Sequence, residues 1–230
     1  MAVFAIGDLH LPGGDDKPMN VFGDIWEEHF ERVAEDWAAR VGTEDVVLLP
    51  GDLSWAMRLE DARKDIAQIA ALPGRKVLLR GNHDYWWSSI GRVRDALCEG
   101  MYALQNDALK LEGLILCGTR GWKDREEGWG ADDEKIYQRE LKRLELSLSC
   151  ATRLGNGVKV CLMHYPPLSA AQTDTPFSRL IENNGISRVV YGHLHGSALK
   201  GAFRGEHNGV WYHQVSCDGT GFKLEDVMEI

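Results

Sequence analysis

Short apolar runs rich in β-branched residues recur along the chain, and longer amphipathic stretches separate them. Most of these runs are too uniformly apolar to have a solvent-facing side, which is typical of central strands covered on both faces. The predicted strands are residues 3–6, 46–49, 77–79, 114–117, 158–163, 189–191 and 210–215. Strands that alternate with helices imply a layered α/β fold, in which ligands collect at the carboxyl ends of the strands.

The amphipathic stretches predict helices. Residues 21–41 place apolar side chains three or four positions apart, with glutamates on the opposite face. Further helices are expected around residues 62–69, from Ser88 or Ser89 toward Leu97, across 137–148 with Asp132 or Asp133 as N-cap, and over 177–184. No internal repeat, low-complexity tract or Pro/Ser linker interrupts this pattern, so we expect residues 1–230 to form a single domain.

Composition narrows the classes of partner. Asp and Glu outnumber Lys and Arg by 35 to 26, and the formal charge of -9 has the wrong sign for a dedicated nucleic-acid-binding protein. No apolar run approaches the roughly 20 residues of a membrane-spanning helix, and the N-terminus has no basic leader. The five cysteines form no Cys-x-x-Cys pair, which argues against a disulfide framework and a thiolate zinc site. We therefore expect a cytoplasmic protein with reduced cysteines and no membrane partner.

Five of the predicted strands are followed by turns that carry metal-binding side chain types. Taken alone, an Asp-x-His or Gly-Asp turn is an ordinary structural element. Five such turns at one edge of the predicted sheets are harder to explain by structure alone, because each would need a separate reason. The turn residues are Asp8, His10, Asp52, Asn82, His83, Asp84, His164, His193 and His195.

Seven of these residues offer oxygen or nitrogen donors and no sulfur: Asp8, His10, Asp52, Asn82, His164, His193 and His195. Such a mixed set suits Mn²⁺, Fe or Zn²⁺ better than Mg²⁺, which prefers oxygen ligands and retained water. Seven protein ligands are too many for one ion with an open position. Two divalent ions about 3.5–4 Å apart, bridged by one carboxylate and by a hydroxide that attacks phosphorus in line, would use them well.

The motifs Asp8-Leu-His10, Gly51-Asp52, Gly81-Asn-His-Asp84, His164 and Gly192-His-Leu-His195 resemble, in this order, the signature blocks of the calcineurin-like metallophosphoesterases. The resemblance spans residues 8–195. It implies an α/β four-layer sandwich of two mixed β-sheets flanked by α-helices. Within the family the chain is most similar to small predicted phosphohydrolases of bacteria, because it lacks the extended acidic and arginine block of the serine/threonine protein phosphatases. The lipid A precursor pyrophosphatases share the opening motif but carry Arg where this chain has His83.

The resemblance also implies a role for each turn residue. One ion would be held by Asp8, His10, Asp52 and His195. The other would be held by Asp52, Asn82, His164 and His193, with Asp52 as the bridge. His83 would be a non-ligand imidazole that hydrogen-bonds the phosphoryl group and helps to protonate the leaving oxygen, with Asp84 as its orienting partner. A neighbouring carboxylate would favour the protonated imidazole.

Aromatic and basic residues near these turns are candidates for substrate contacts. Arg120, Trp122 and Trp87 are assigned to substrate binding, as phosphate contact and stacking surfaces. Trp55 and Trp86 are expected in the core, and Arg80 either contacts phosphate or pairs with a carboxylate near the site. The loop 121–133 is a candidate lid, and residues 15–17 are candidates for the pocket mouth.

These patterns predict a dinuclear metal-dependent phosphohydrolase that acts on a small phosphomonoester or phosphodiester. The alternative is a metal-dependent nuclease of the same family, which the acidic composition disfavours. A non-catalytic metal-binding scaffold is less favoured, because all seven ligand types and His83 are present.

Overall fold

The polypeptide forms two β-sheets that pack face to face, with helices on both outer faces. The computed structural model describes residues 1–13, 19–125 and 129–230. The first sheet has the strand order β11-β1-β2-β3-β4. Its strands are β1 (Ala2–Ala5), β2 (Val46–Leu49), β3 (Arg75–Leu79), β4 (Met101–Leu104) and β11 (Glu225–Glu229). β11 runs antiparallel to β1, whereas the other neighbours pair in parallel, so the sheet is mixed.

The second sheet is also mixed and has the order β5-β6-β7-β8-β10-β9. Its strands are β5 (Ala108–Leu111), β6 (Leu114–Thr119), β7 (Val158–Met163), β8 (Arg188–Tyr191), β9 (Gly205–His207) and β10 (Val210–Gln214). The four central strands pair in parallel, and the two edge strands β5 and β9 are antiparallel to their neighbours. The carboxyl ends of the parallel strands of each sheet therefore lie at a common edge.

The helices cover the outer faces of the sandwich. They are α1 (His29–Arg40), α2 (Leu59–Ala71), α3 (Ile90–Ala96), α4 (Ala131–Arg153) and α5 (Pro176–Glu182). Alternate residues of each strand serve different layers: Val46 and Leu48 of β2 enter the core between the sheets, while Val47 and Leu49 face the helices. This alternation explains why β2 is apolar throughout, and the predicted four-layer sandwich is confirmed.

Four of the strands, the start of α1 and the N-cap of α4 differ from the sequence predictions. The patterns did not predict β4, β5, β9 and β11. The predicted helix over 21–41 is wrong in its first half, where the chain forms two 3-10 turns, Met19–Phe22 and Asp24–Trp26, before α1 begins at His29. Gly23, with a φ of 123°, separates the two turns, and Glu28 lies in the left-handed region directly before α1.

The N-cap of α4 is also corrected. Gly130 occupies that position, and Asp132 and Asp133 lie inside the first turn of the helix, where their negative charges interact favourably with the helix dipole.

All five cysteines are free. Within the described residues, no helix combines the length and apolar character needed to cross a bilayer. Residues 15–17 and part of the 121–133 loop, residues 126–128, lie outside the described residues, so the pocket-mouth and lid predictions are not tested.

Candidate metal centre

Turns from both sheets meet at one edge of the sandwich. The Asp8 carboxylate, after β1, accepts hydrogen bonds from the backbone N–H of His193, after β8, at 3.0 and 3.1 Å. Nε2 of His195 lies 3.5 Å from Oδ1 of the same carboxylate. Nε2 of His10 lies 3.4 Å from Nε2 of His195. Asp8, His10 and His195 thus place three donor atoms together, and the contacts join the two sheets.

A second group of donors surrounds His164, which follows β7 and is fully buried. Its Nε2 lies 2.7 Å from Oδ1 of Asn82 and 3.4 Å from Oδ2 of Asp52. Oδ1 of Asn82 also lies 2.9 Å from Nδ1 of His193. All seven predicted metal ligands are therefore brought into one connected cluster.

The hydrogen bonding of His164 tests whether this cluster fits a metal. Its Nδ1 lies 3.0 Å from the carbonyl oxygen of Pro50, which is only an acceptor, so Nδ1 carries the proton. In the neutral ring, Nε2 then directs a lone pair toward Oδ1 of Asn82, which is an acceptor as well, and Oδ2 of Asp52 lies 3.4 Å from the same nitrogen. Burial lowers the pKa of His164, which disfavours a second proton on the ring. A cation between these atoms would satisfy them all, so the donor set fits a metal ion.

Among the described residues, three groups have the spacing of metal ligands, with the donor atoms of each group within 4.8 Å of one another. The group of Asp174, Glu182 and His207 shares no residue with the cluster, whereas the other two groups overlap within it. One group contains Asp8, His10 and His195, and the other contains Asp8, Asp52 and His164. Asp8 belongs to both groups. Asp52 of the second group also approaches the first, because its Oδ2 is 3.4 Å from Nε2 of His164 and 3.9 Å from Nε2 of His10. The structure therefore contains a candidate metal centre whose two donor groups share one carboxylate and are approached by another.

The pKa values of the metal-free cluster indicate which of its groups carry protons that a cation would replace. Burial raises the pKa of Asp52 to about 9, helped by the charges of Asp84 and Asp8. Burial alone would lower the pKa of His195, but its contacts with Asp218 and Asp8 raise it to about 10. Burial lowers the pKa of His10 to about 3. Protons thus sit on Asp52 and His195 at neutral pH, where bound cations would replace them.

The backbone of the turns is strained where the ligands project. Asp8, His10, Asp52 and His193 all have positive φ angles, of 59°, 46°, 52° and 72°. Such strain in residues other than glycine persists where the surrounding structure fixes it, and it is concentrated at functional sites. Gly192 is needed for a different reason, since a Cβ at that position would overlap the Asp8 carboxylate.

Asp84 does not have the position expected of it. Its fully buried carboxylate accepts hydrogen bonds from the backbone N–H groups of Asp52, Leu53, Ser54 and Gly81 and from the indole of Trp86. None of these contacts involves the His83 ring, whose buried Nδ1 has no hydrogen-bond partner among the described residues. The predicted orienting contact is therefore corrected: Asp84 fixes the turn after β2 against the turn after β3.

His83 itself lies beside the cluster. Its backbone N–H donates to Oδ1 of Asp52 at 2.8 Å, and its ring centroid is 5.8 Å from that of His10 and 4.6 Å from that of Trp55. Burial and the charge of His164 lower the pKa of His83, opposite to the effect expected from Asp84. The half-buried imidazole is thus adjacent to the ligands, and its catalytic role stays a prediction.

The three predicted substrate contacts lie in different environments. Trp87 is buried and donates its indole N–H to Gln105 at 2.7 Å, so it presents no face to a substrate and that assignment is corrected. Trp122 is partly buried against Tyr165 and donates to Asp133 at 3.1 Å. Arg120 lies 4.9 Å from the centroid of the Trp122 ring and lines a polar cavity described below. Neither Arg120 nor Trp122 is tested as a substrate contact.

Two residues next to the ligands were not identified from the sequence. Oδ1 of Asp218 lies 2.9 Å from Nδ1 of His195, and Asp218 is in the turn that follows β10. The rule that identified the other turns applies to it as well, since the predicted strand 210–215 precedes a Cys-Asp-Gly sequence. Tyr165 directly follows His164 and packs on the His193 ring with a centroid distance of 4.0 Å.

A largely apolar cavity of about 390 Å³ adjoins this side of the centre. His193 and Tyr165 form its boundary with the metal ligands, and Leu168, Leu194 and Phe203 line its wall. A cavity of this size and polarity is typical of sites for small organic molecules.

Comparisons with known proteins show the fold and the family that this chain shares with them. A comparison with curated protein sequences finds no match. A solved structure of phosphopantetheinyl hydrolase (PptH) from Mycobacterium tuberculosis is similar, with a TM-score of 0.57 and 15% identity, covering 100% of this chain and 96% of that one. A protein of unknown function, AQ665 from Aquifex aeolicus, has a TM-score of 0.51 and 14% identity, covering 97% of this chain and 94% of that one. At these identities the two structures show a shared fold. The family model for the calcineurin-like phosphoesterases matches residues 1–197, and the chain, with its cluster of candidate metal ligands, belongs to this family of metal-dependent hydrolases.

Proposed function

We propose that the protein is a dinuclear metal-dependent phosphohydrolase that cleaves a small phosphomonoester or phosphodiester. The observation that carries this proposal is the position of Asp52. Its Oδ2 lies within 4 Å of an imidazole nitrogen from each predicted ligand set, at 3.9 Å from His10 and 3.4 Å from His164. A carboxylate between two groups of nitrogen donors supports a pair of ions bridged by that carboxylate.

The chain's own residues supply the remaining chemistry. Bound divalent ions would activate a water nucleophile and neutralise charge on the phosphoryl oxygens. His83 is adjacent to the cluster but outside the donor groups, and in this proposal it hydrogen-bonds a phosphoryl oxygen and passes a proton to the leaving oxygen. Burial lowers the pKa of this imidazole in the free protein, and the negative charge of a bound phosphoryl group would shift that pKa upward.

The apolar cavity beside His193 supports a small substrate. Its volume of about 390 Å³ and its wall of Leu168, Leu194 and Phe203 suit an organic leaving group with an apolar portion. The similar fold of a phosphopantetheinyl hydrolase makes a phosphopantetheine ester one member of the substrate panel to be tested. Aryl phosphates and a nucleotide complete that panel.

The proposal is tested by metal analysis and turnover of three variants loaded with Mn²⁺, Fe²⁺ or Zn²⁺. Asp52→Asn is expected to lose bound metal and hydrolysis together. His83→Ala is expected to keep its metal and lose hydrolysis. His213→Ala serves as the control, since Nδ1 of His213 lies 3.4 Å from Glu225 and His213 belongs neither to the seven predicted ligands nor to a candidate metal group among the described residues. Full turnover by Asp52→Asn, or by the wild type after exhaustive chelation, would overturn the two-metal mechanism. Turnover confined to single-stranded DNA would indicate a nuclease instead.

A further inference from the structure

A second, polar cavity of about 210 Å³ lies where β3, β4 and β6 end, against α4. Its charged lining consists of four arginines and one glutamate: Arg80, Arg120, Arg139, Arg143 and Glu140. We call it the arginine pocket. These groups give it a formal charge of +3 in a chain whose net charge is -9. None of the seven predicted metal ligands lines it.

The single carboxylate of the arginine pocket is already engaged. Glu140 is fully buried and accepts hydrogen bonds from Oγ1 of Thr119 at 2.7 Å and from Arg143 at 2.6 Å. Arg120 and Arg139 approach the same carboxylate at 3.6 and 3.7 Å. One negative charge is therefore shared among three guanidinium groups and cannot neutralise them all.

Arg80 is the group that remains without a partner. Over the described ranges of the chain it forms no hydrogen bond and no ion pair, and its Nε is buried. Nε of Arg120 is buried and unpartnered in the same way. A buried and unpaired N–H of a guanidinium is stabilised by an anion that accepts from it.

We propose that the arginine pocket binds a phosphate-type oxyanion, either inorganic phosphate or the phosphoryl group of a small molecule. Guanidinium groups match the oxygens of such an anion in pairs, and several around one cavity are typical of phosphate recognition. The neutral side chains of Ser88, Gln105 and Asn106 complete the polar lining. The arginine pocket is connected to the candidate metal centre by the sequence, because Arg80 directly precedes Gly81 and the predicted ligand Asn82. The proposal does not depend on the proposed function.

Isothermal titration of the metal-loaded protein with inorganic phosphate tests the proposal. We expect phosphate binding that persists after chelation, and we expect Arg80→Met to weaken it by about tenfold or more, the effect of losing a charge-assisted hydrogen bond. Arg92→Met is the matched control, because Arg92 is an exposed arginine 3.7 Å from Glu60, and it should bind phosphate as the wild type does. Competition by AMP would identify a phosphoryl group as a ligand, and binding of the free ion alone would identify inorganic phosphate.

A second variant tests the proposal independently, in case Arg80→Met does not fold. The double substitution Arg139→Met and Arg143→Met removes two charges from α4, away from the metal-binding turns, and should weaken phosphate binding as well. Phosphate binding that disappears entirely on chelation, or wild-type affinity in both variants, would overturn the proposal. Hydrolysis of an aryl phosphate, measured in parallel, reports on the metal centre separately.

Discussion

The Asp218 carboxylate lies 2.9 Å from Nδ1 of His195, and its other oxygen accepts the backbone N–H of Gly196 at 3.0 Å. Asp218 thereby fixes both the ring and the turn that carries it. With Nδ1 bonded to Asp218, Nε2 of His195 faces His10 and Asp8. Carboxylates that accept from the second ring nitrogen of a histidine ligand orient the ring and increase its basicity.

Replacement of Asp218 by Asn should therefore weaken metal binding without unfolding the protein. We expect a loss of about 10–100-fold in metal affinity, the usual effect of removing such a partner. Titration with Zn²⁺ or Mn²⁺ measures the change. Glu225→Gln is the matched control, because Glu225 makes the same type of contact with His213 and belongs to no candidate metal group among the described residues. Equal metal affinity in Asp218→Asn and Glu225→Gln would show that the Asp218 contact has no role in the site.

Metal binding should release protons at neutral pH. In the metal-free protein the pKa of Asp52 is about 9 and that of His195 is about 10, so both groups are protonated at pH 7. A bound ion displaces these protons, and metal affinity therefore rises as the pH rises toward these values. Burial lowers the pKa of His10 and of His193 to about 3, so neither contributes a proton. Calorimetry in buffers of different ionisation enthalpy counts the protons, and an affinity that falls between pH 6 and pH 8 would contradict these pKa values.

We expect Asp84 to contribute mainly to the stability of the fold. Its carboxylate satisfies five N–H groups, and Ala would leave all of them buried without an acceptor. We expect Asp84→Ala to lower the free energy of unfolding by about 3 kcal/mol or more, as buried donors lose a charged acceptor. Urea unfolding of the metal-free protein measures this loss. For His83→Ala, at the neighbouring position, the free energy of unfolding should stay within about 1 kcal/mol of the wild-type value, because the His83 side chain makes no hydrogen bond to the described residues.

A single methyl group at Gly192 should disrupt the site. The Cβ of Gly192→Ala would overlap the Asp8 carboxylate, and it would displace either that ligand or the turn that carries His193. Metal content and aryl phosphate turnover should both be lost. Gly91→Ala is the control, since a Cβ there meets nothing within 4 Å, and Ala in α3 should stabilise the protein by about 0.5–1 kcal/mol. Normal metal binding by Gly192→Ala would show that the turn can relax.

The central strands and the turn motifs could be predicted because their physical signals are local. β2 is apolar at every position, and the histidines and carboxylates follow directly after strands of this kind. Parallel strands bring their carboxyl ends together, so sequence order alone indicates which turns meet. The edge strands could not be predicted in this way. β11 has the sequence Glu-Asp-Val-Met-Glu, in which only Val227 is buried, so its pairing depends on β1, which is distant in sequence.

The roles of neighbouring carboxylates were harder to predict than the ligands. Asp84 is next to His83 in sequence, but its carboxylate accepts from N–H groups of its own turn and of the turn after β2. Asp218 is far from His195 in sequence and yet contacts it. A one-dimensional pattern identifies residue types that can bind a metal, whereas side-chain direction is set by packing between layers. Trp87 shows the same effect, since burial removes it from the substrate side.

The pairing of β1 with β11 has a consequence for how the protein is made. Ala2 is the register partner of Glu229, and the thiol of Cys217 donates to the backbone oxygen of Asp8 at 3.0 Å. A translating ribosome delivers β1 early, and that strand stays an open edge until β11 emerges. The turn of Asp8 likewise gains its contact with Cys217 only after much later residues have been synthesised, so the full set of contacts around this predicted ligand forms after most of the described chain is made.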